Sequence, residues 1–216
     1  MIAGTFYIAR HGETVFNAAM RMQGRTVHTP LTRAGFDQAE EIGVALRDAL
    51  GGGPSLHLWA SPTGRALQTL AIVAEHLDLD WHSARMDPRL DEMDMGDWGG
   101  RSYQEIHDAE GPLVDRRSGL FTRRPPAGEW YDDIALRLSR WLDDQADDAC
   151  DRLVIMHGIS SRVLRGLLTG GAPRPECGAP VAPSLPQGSI VRIADGVETL
   201  LHRAVGGFGA SRPLTA

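Results

Sequence analysis

Short apolar runs alternate along this chain with longer amphipathic stretches, and each run stops where charge, proline or glycine begins. Phe6 to Ala9 is rich in the aromatic and β-branched residues that suit a covered strand, and it ends at Arg10-His11-Gly12. Leu56 to Ala60 ends at Ser61-Pro62, and Leu153 to Met156 ends at His157-Gly158. Between these runs the period lengthens. Pro30-Leu31-Thr32 introduces a helix with Thr32 as its N-cap and Ala34, Gln38, Ile42 and Leu46 at helical spacing; Gly51-Gly52-Gly53-Pro54 stops it. Further helices are predicted from Gly64 to Leu77, with Leu67, Leu70, Ile72, Val73 and Leu77 apolar, from Glu129 to Asp147, and from Ser160 to Leu168. Asn17 to Arg25 reads as a loop or short helix, and Gly170 to Pro186 as loop. Ser189 to Ala194 and Glu198 to His202 form a closing hairpin around Asp195-Gly196.

Strands alternating with helices predict a three-layer α/β/α sandwich with a mostly parallel sheet, built as a single domain over residues 1–216. From Trp81 to Trp130 the period is lost, apart from a helical stretch around Tyr103 to Ala109. Its tryptophans and methionines need something to pack on, so an inserted lobe at about 85–128 is expected over the C-terminal edge of the sheet. Residues 206–216 are expected to be a loose tail. Arg10-His11, Ser61-Pro62 and His157-Gly158 then share one sheet edge, where open α/β sheets bind ligands.

Composition narrows the chemistry. The net charge of −6 disfavours a nucleic-acid partner. All 22 Lys+Arg residues are Arg, which removes a Walker-type phosphate loop, a Schiff-base enzyme and a pyridoxal enzyme; genomic base composition is the simplest reason for the missing Lys. Gly51 to Gly53 do not follow a strand and serve as linker. Cys150 and Cys177 are too few for a disulfide framework or a structural zinc site, so two reduced thiols are expected. No basic segment with a long apolar follow-on opens the chain, and no window reaches the roughly twenty apolar residues that span a bilayer. A soluble cytoplasmic protein with no membrane partner is expected.

Two strand-His-Gly turns, at His11 and His157, should bring both imidazoles to one edge. Such a pair serves acid/base catalysis, an anion or a metal; short-spacing ligand pairs are absent and Arg10 would repel a cation, which favours the anion. Arg65, in the first turn of its helix, opposes the helix dipole unless it bends over the helix N-terminus toward a bound phosphate. A phosphate ester also needs a proton donor for its leaving oxygen. Composition does not choose among Asp91, Glu92, Asp94 and Asp97.

Arg10-His11-Gly12-Glu13-Thr14 with Asn17 resembles the signature of the histidine phosphatase superfamily, in its phosphoglycerate-mutase-like branch. So do Pro30-Leu31-Thr32 with Gly35 and Gln38-Ala39, Ser61-Pro62 with Arg65-Ala66 and Gln68-Thr69, Leu90 with Glu92, Gly96 and Trp98, and His157-Gly158, in the family's order. The resemblance implies that His11 is the nucleophile and becomes phosphorylated. It implies that Arg10, Arg65 and His157 hold the phosphoryl oxygens with help from Asn17, and that Glu92 protonates the leaving oxygen and then activates water. His157 thus counts among the catalytic groups, with no metal and no cofactor. The chain departs from the family's habit at Val27-His28-Thr29, at Gly99-Gly100, and at Met156 and Ile159 around the second His. Pro125-Pro126-Ala127-Gly128-Glu129, leading into a helix with Arg137, resembles a phosphatase-side motif, as does Asp97-Trp98, while the mutases carry a Lys that this chain lacks. The expectation is a phosphomonoesterase acting on a small-molecule phosphate ester. Phosphoglycerate mutase is the second reading, and a non-catalytic regulatory module, which loss of His11, Arg65 or His157 would have supported, the third. Arg101, Arg116, Arg117, Arg123 and Arg124 are candidates for a second acidic group, and Trp98 and Trp130 for flanking an organic substrate. Small enzymes of this kind are often dimers, so a homodimer is the expected assembly.

Overall fold

The computed structural model describes residues 3–205, so the tail expected at 206–216 lies outside the described residues. Six strands form one sheet: β1 (Phe6–Arg10), β2 (Leu56–Ala60), β3 (Arg85–Met86), β4 (Asp151–Met156), β5 (Ile190–Ala194) and β6 (Val197–His202). Their order is β3-β2-β4-β1-β5-β6. The first four run parallel, while β5 pairs antiparallel with both β1 and β6. The principal helices are α1 (Val15–Ala18), α2 (Arg33–Leu50), α3 (Gly64–His76), α4 (Tyr103–Glu110), α5 (Tyr131–Asp143) and α6 (Gly158–Leu168).

The central strands are apolar on both sides because both sides are covered. Tyr7, Ala9, Leu58, Ala60, Leu153 and Ile155 pack with Ile42 and Leu46 of α2 and with Leu70 and Val73 of α3. Phe6, Ile8, Val154 and Met156 point the other way, to Ile134, Leu138 and Trp141 of α5 and Val163 and Leu164 of α6. Trp141 lies edge-on between Phe6 and Trp59, with ring centroids 6.3 Å and 5.5 Å away. The aperiodic segment adds Leu90, Met93, Trp98, Ile106, Leu113, Leu120 and Phe121 to this second core.

Several elements differ from the sequence reading. Gly35, Gln38, Ala39, Ile42, Gly43 and Leu46 face inward on α2, while Ala34 is exposed, since the stripe must follow the neighbour that covers it. Arg85–Met86 adds a two-residue edge strand beside β2, too short for a periodic signal. Helix α5 stops at Asp143, and α6 begins at Gly158 with His157 as its N-cap. The hairpin turn has positive φ at both Asp195 (51°) and Gly196 (76°), the backbone that suits a tight turn between right-twisted strands.

Candidate active site

Strands β2, β4 and β1 are neighbours, so their C-terminal ends place Ser61, His157 and His11 side by side. The β1 end is braced on two sides: His11 N donates to Met156 O (3.0 Å) and Arg10 N to Ser189 O (3.0 Å). Gly12 then lies against Gly35 at the start of α2, where a Cβ on Gly12 would run into the Gly35 carbonyl far inside contact distance. The Gly12 and Gly35 of the motif are thus one backbone-to-backbone contact.

His11 and His157 are both buried, with ring centroids 5.1 Å apart at an interplanar angle of 65°. The geometry assigns a tautomer to each. His11 Nδ1 lies 2.6 Å from the Gly12 carbonyl, which only accepts, so Nδ1 carries the proton and Nε2 keeps a lone pair. His157 Nδ1 lies 3.2 Å from Arg65 Nε, which only donates, so the His157 proton sits on Nε2. That His157 Nε2 is buried without a partner among the described residues, and so is Arg10 Nε. Burial, then Arg65, then Arg10 holds His11 well below the usual imidazole range. Burial, followed by Arg65 and His11, does the same to His157. Both rings are therefore neutral near pH 7, and desolvation contributes more to this than any single neighbouring cation does.

Arg65 does not bend over the start of α3. It is fully buried, giving Nη1 to Thr26 O (2.7 Å) and Thr29 Oγ1 (2.9 Å), Nη2 to Gly24 O (2.7 Å) and Nε to His157. Burial lowers its pKa to about 10. It organises the 24–29 loop and His157 while still lining the cavity. Arg10 gives Nη1 to Leu185 O (2.6 Å), and Gly158 approaches its guanidinium so closely that a Cβ there would lie 3.2 Å from Cζ.

Glu92 caps the start of α6. Its carboxylate accepts from Ile159 N (3.1 and 3.0 Å), from Ser160 N (3.0 Å) and from its own neighbour Met93 N (3.0 Å). Asn17 belongs to the capping box of α1, its Oδ1 accepting from Thr14 N (3.1 Å), which leaves Nδ2 uncommitted among the described residues. Arg10, His11, Asn17, Arg65 and Glu92 line one cavity of about 1120 Å3.

Of the five arginines proposed for a second acidic group, Arg116 and Arg117 line this cavity and are joined by Arg21 and Arg174. Arg101, Arg123 and Arg124 are held elsewhere, by Glu110, by the Glu110 and Gly111 carbonyls, and by Asp133. Trp98 is buried, giving Nε1 to Glu110, and Trp130 stacks edge-on against Tyr131; the cavity aromatics are Tyr103 and Phe121. Buried Arg162 ties down two cavity walls through carbonyls, those of Ser118 (2.9 Å) and Gly119 (3.1 Å) on one side and Ala182 (2.8 Å) on the other. Sequence reasoning missed Arg162, since a mid-helix Arg carries no local signal. Among the described residues, the cluster able to ligate a metal is His57, Asp148 and Cys150. It lies at the opposite edge of the sheet, with the Arg152 guanidinium 3.7 Å from Asp148. No helix among the described residues is long and apolar enough to cross a membrane.

Comparison with known proteins agrees with this geometry. Residues 6–195 match the model of the histidine phosphatase superfamily, branch 1. A protein of Erwinia tasmaniensis named "Probable phosphoglycerate mutase GpmB" is 35% identical over 175 residues, spanning 76% of this chain and 74% of that one. Its namesake in Enterobacter sp. (strain 638) is 34% identical over 167 residues, with the same 76% and 74% shares. Two solved structures share the fold. The alpha-ribazole phosphatase from Shigella flexneri has a TM-score of 0.71 at 22% identity, covering 94% of this chain and 98% of its own. A mycobacterial glucosyl-3-phosphoglycerate phosphatase has a TM-score of 0.69 at 24% identity, covering 92% and 97%.

Proposed function

We propose, on the premise that this chain belongs to branch 1 of the histidine phosphatase superfamily, that it is a metal-independent phosphomonoesterase working through a phosphohistidine at His11. The observation that carries this reading is the pair of buried, unpartnered donors, Arg10 Nε and His157 Nε2, in the same site as a neutral His11. Buried donors without acceptors are costly, and a phosphoryl group supplies the acceptors.

In the proposed reaction the His11 Nε2 lone pair attacks phosphorus. The P–N bond forms as the bond to the leaving oxygen breaks, and Glu92 gives that oxygen its proton. Arg10 and His157 offset charge on the equatorial oxygens, with Asn17 Nδ2 assisting. Arg65 contributes its charge and fixes the His157 tautomer that makes Nε2 a donor. Glu92, now ionised, takes a proton from water as that water attacks the phosphohistidine. The P–N bond breaks, and inorganic phosphate leaves with Glu92 protonated again.

The substrate in this reading is a small phosphorylated metabolite whose leaving group carries a second acidic group. Arg21, Arg116, Arg117 and Arg174 on the cavity walls, opposed there by Asp115 and Glu13, support it. Phosphoglycerate mutase is the second reading, favoured by the names of the curated relatives. The absence of any Lys and the Pro125 to Glu129 stretch favour hydrolysis. Cytoplasmic location belongs to the proposal too.

Rapid quench with radiolabelled substrate tests the reading: an acid-labile, base-stable phosphoenzyme is expected, and none from His11→Ala. An acid-stable, base-labile adduct would show an acyl phosphate and refute it. Incubation with 3-phosphoglycerate should yield inorganic phosphate or nothing; efficient conversion to the 2-isomer would establish the mutase instead.

A further inference from the structure

Glu92 lies in a stretch without regular structure, between the short 3-10 turns Pro88–Leu90 and Gly96–Trp98. Its carboxylate is held by amides, mostly through Oε1, which leaves Oε2 with one amide and room for a proton. Where that oxygen points also depends on the backbone that carries Glu92. Arg137, on α5, holds that backbone from behind. It donates Nη2 to Asp91 O (2.8 Å) and Glu92 O (3.3 Å), and Nη1 to Arg89 O. The same guanidinium meets Glu129 side-on, Nε to Oε1 at 3.0 Å and Nη2 to Oε2 at 3.2 Å. Glu129 in turn accepts from Asp94 N at 3.0 Å, and its own N–H donates to Asp94 O at 3.0 Å.

The Pro125 to Glu129 stretch presses against the same segment: Asp97 N donates to Pro126 O at 3.0 Å. A Cβ on Gly96 would collide with that carbonyl, and one on Gly128 would lie 2.5 Å from Asp94 O. Together these contacts account for Gly96, Gly128 and Glu129. Ser61 Oγ, donating to Asp91 Oδ1 at 2.7 Å, anchors the segment from the β2 end.

We propose that the Glu129–Arg137 ion pair is a positioning pair that holds the 89–94 backbone so that Glu92 meets the leaving oxygen. This rests on reading Glu92 as the proton donor. Neither residue lines the reaction cavity, and the bonds of Arg137 run to Glu129 and to the backbone of residues 89–92, so the pair acts through Glu92.

The test uses the dependence of kcat/KM on leaving group, since kcat/KM reports the steps through departure of the leaving oxygen. An acidic nitrophenol leaves with little help, whereas an aliphatic alcohol needs a proton. In Arg137→Gln, kcat/KM for an alkyl phosphate should fall roughly tenfold to hundredfold while 4-nitrophenyl phosphate stays within about threefold. Arg137→Lys should behave in the same way, because an ammonium does not span the three carbonyls and the carboxylate. Should Arg137→Gln fail to fold, Glu129→Gln/Arg137→Gln removes the pair without leaving a charge unpaired and should show the same selective loss.

A uniform loss for both substrates, or none, would overturn the proposal. So would full rescue by Arg137→Lys, which would assign the effect to the Arg137 charge, one of those that lower the His157 pKa. Glu92→Gln separates this failure from that of the parent reading. If it steepens the leaving-group dependence and the Arg137 variants do not, only the positioning pair is lost. If it does not, the acid assignment fails, and the pair's role with it.

Discussion

Acid should destabilise this protein through His11 and His157 before its carboxylates begin to titrate. The two imidazoles are 2% and 0% exposed and are held neutral by burial and by Arg65. Unfolded, each takes a proton at the ordinary histidine value of 6.5. A folded pKa depressed below the unfolded one means that the unfolded chain binds more protons, so stability is complete above about pH 6.5 and falls as pH drops from there. Each buried ring costs up to about 1.4 kcal/mol per pH unit, and the two together about 2.7. Down to about pH 5, above the usual carboxylate range, that removes up to about 4 kcal/mol of the roughly 5–15 a domain possesses. Urea midpoints at closely spaced pH values measure the slope. His11→Asn and His157→Asn should each take away about half of it, whatever they do to absolute stability. An unchanged slope in both variants would show that the rings are charged or solvated when folded, and would refute the reasoning.

Two further outcomes follow from the geometry. Gly12→Ala should destabilise by about 1–3 kcal/mol or more in thermal or urea denaturation, because the new carbon meets the Gly35 carbonyl, whereas Gly64→Ala, whose carbon lies 3.4 Å from Val27 O, should be tolerated. Chelator should leave hydrolysis of an aryl phosphate unchanged, since the ligating cluster at His57, Asp148 and Cys150 lies across the sheet from His11; loss of all activity on chelation would contradict the donor set described.

What the sequence disclosed was whatever local pattern determines. A buried strand ending in His-Gly is a property of half a dozen adjacent residues, so β1, β4 and their two histidines could be placed from the sequence alone. The hairpin at Asp195-Gly196 was legible for the same reason, since those residues tolerate positive φ. Strand β3 was not, because two residues carry no period and join the sheet only through β2. Nor was the destination of the Arg65 side chain. Its position at the start of α3 suggested a reach toward solvent and phosphate, but the carbonyls of residues 24 and 26 and the Thr29 hydroxyl, brought in by a loop about forty residues upstream, accept most of its hydrogen bonds. Arg162 was invisible for a related reason: its partners are backbone carbonyls, which sequence does not distinguish, and Arg137, though part of a recognisable motif, gave no sign of the carbonyls of residues 89, 91 and 92 that it holds.

Carbonyl partners also bear on how this molecule changes over generations. Arg162 grips residues 118, 119 and 182 through groups that every amino acid possesses, so its hold is blind to the side chains those loops display. Replacements at Arg116, Arg117 or Ser184 therefore alter what the cavity admits while the Arg162 hold on its walls persists. The side chains that line the cavity can in this way change separately from the backbone path that carries them, and one arginine secures that path.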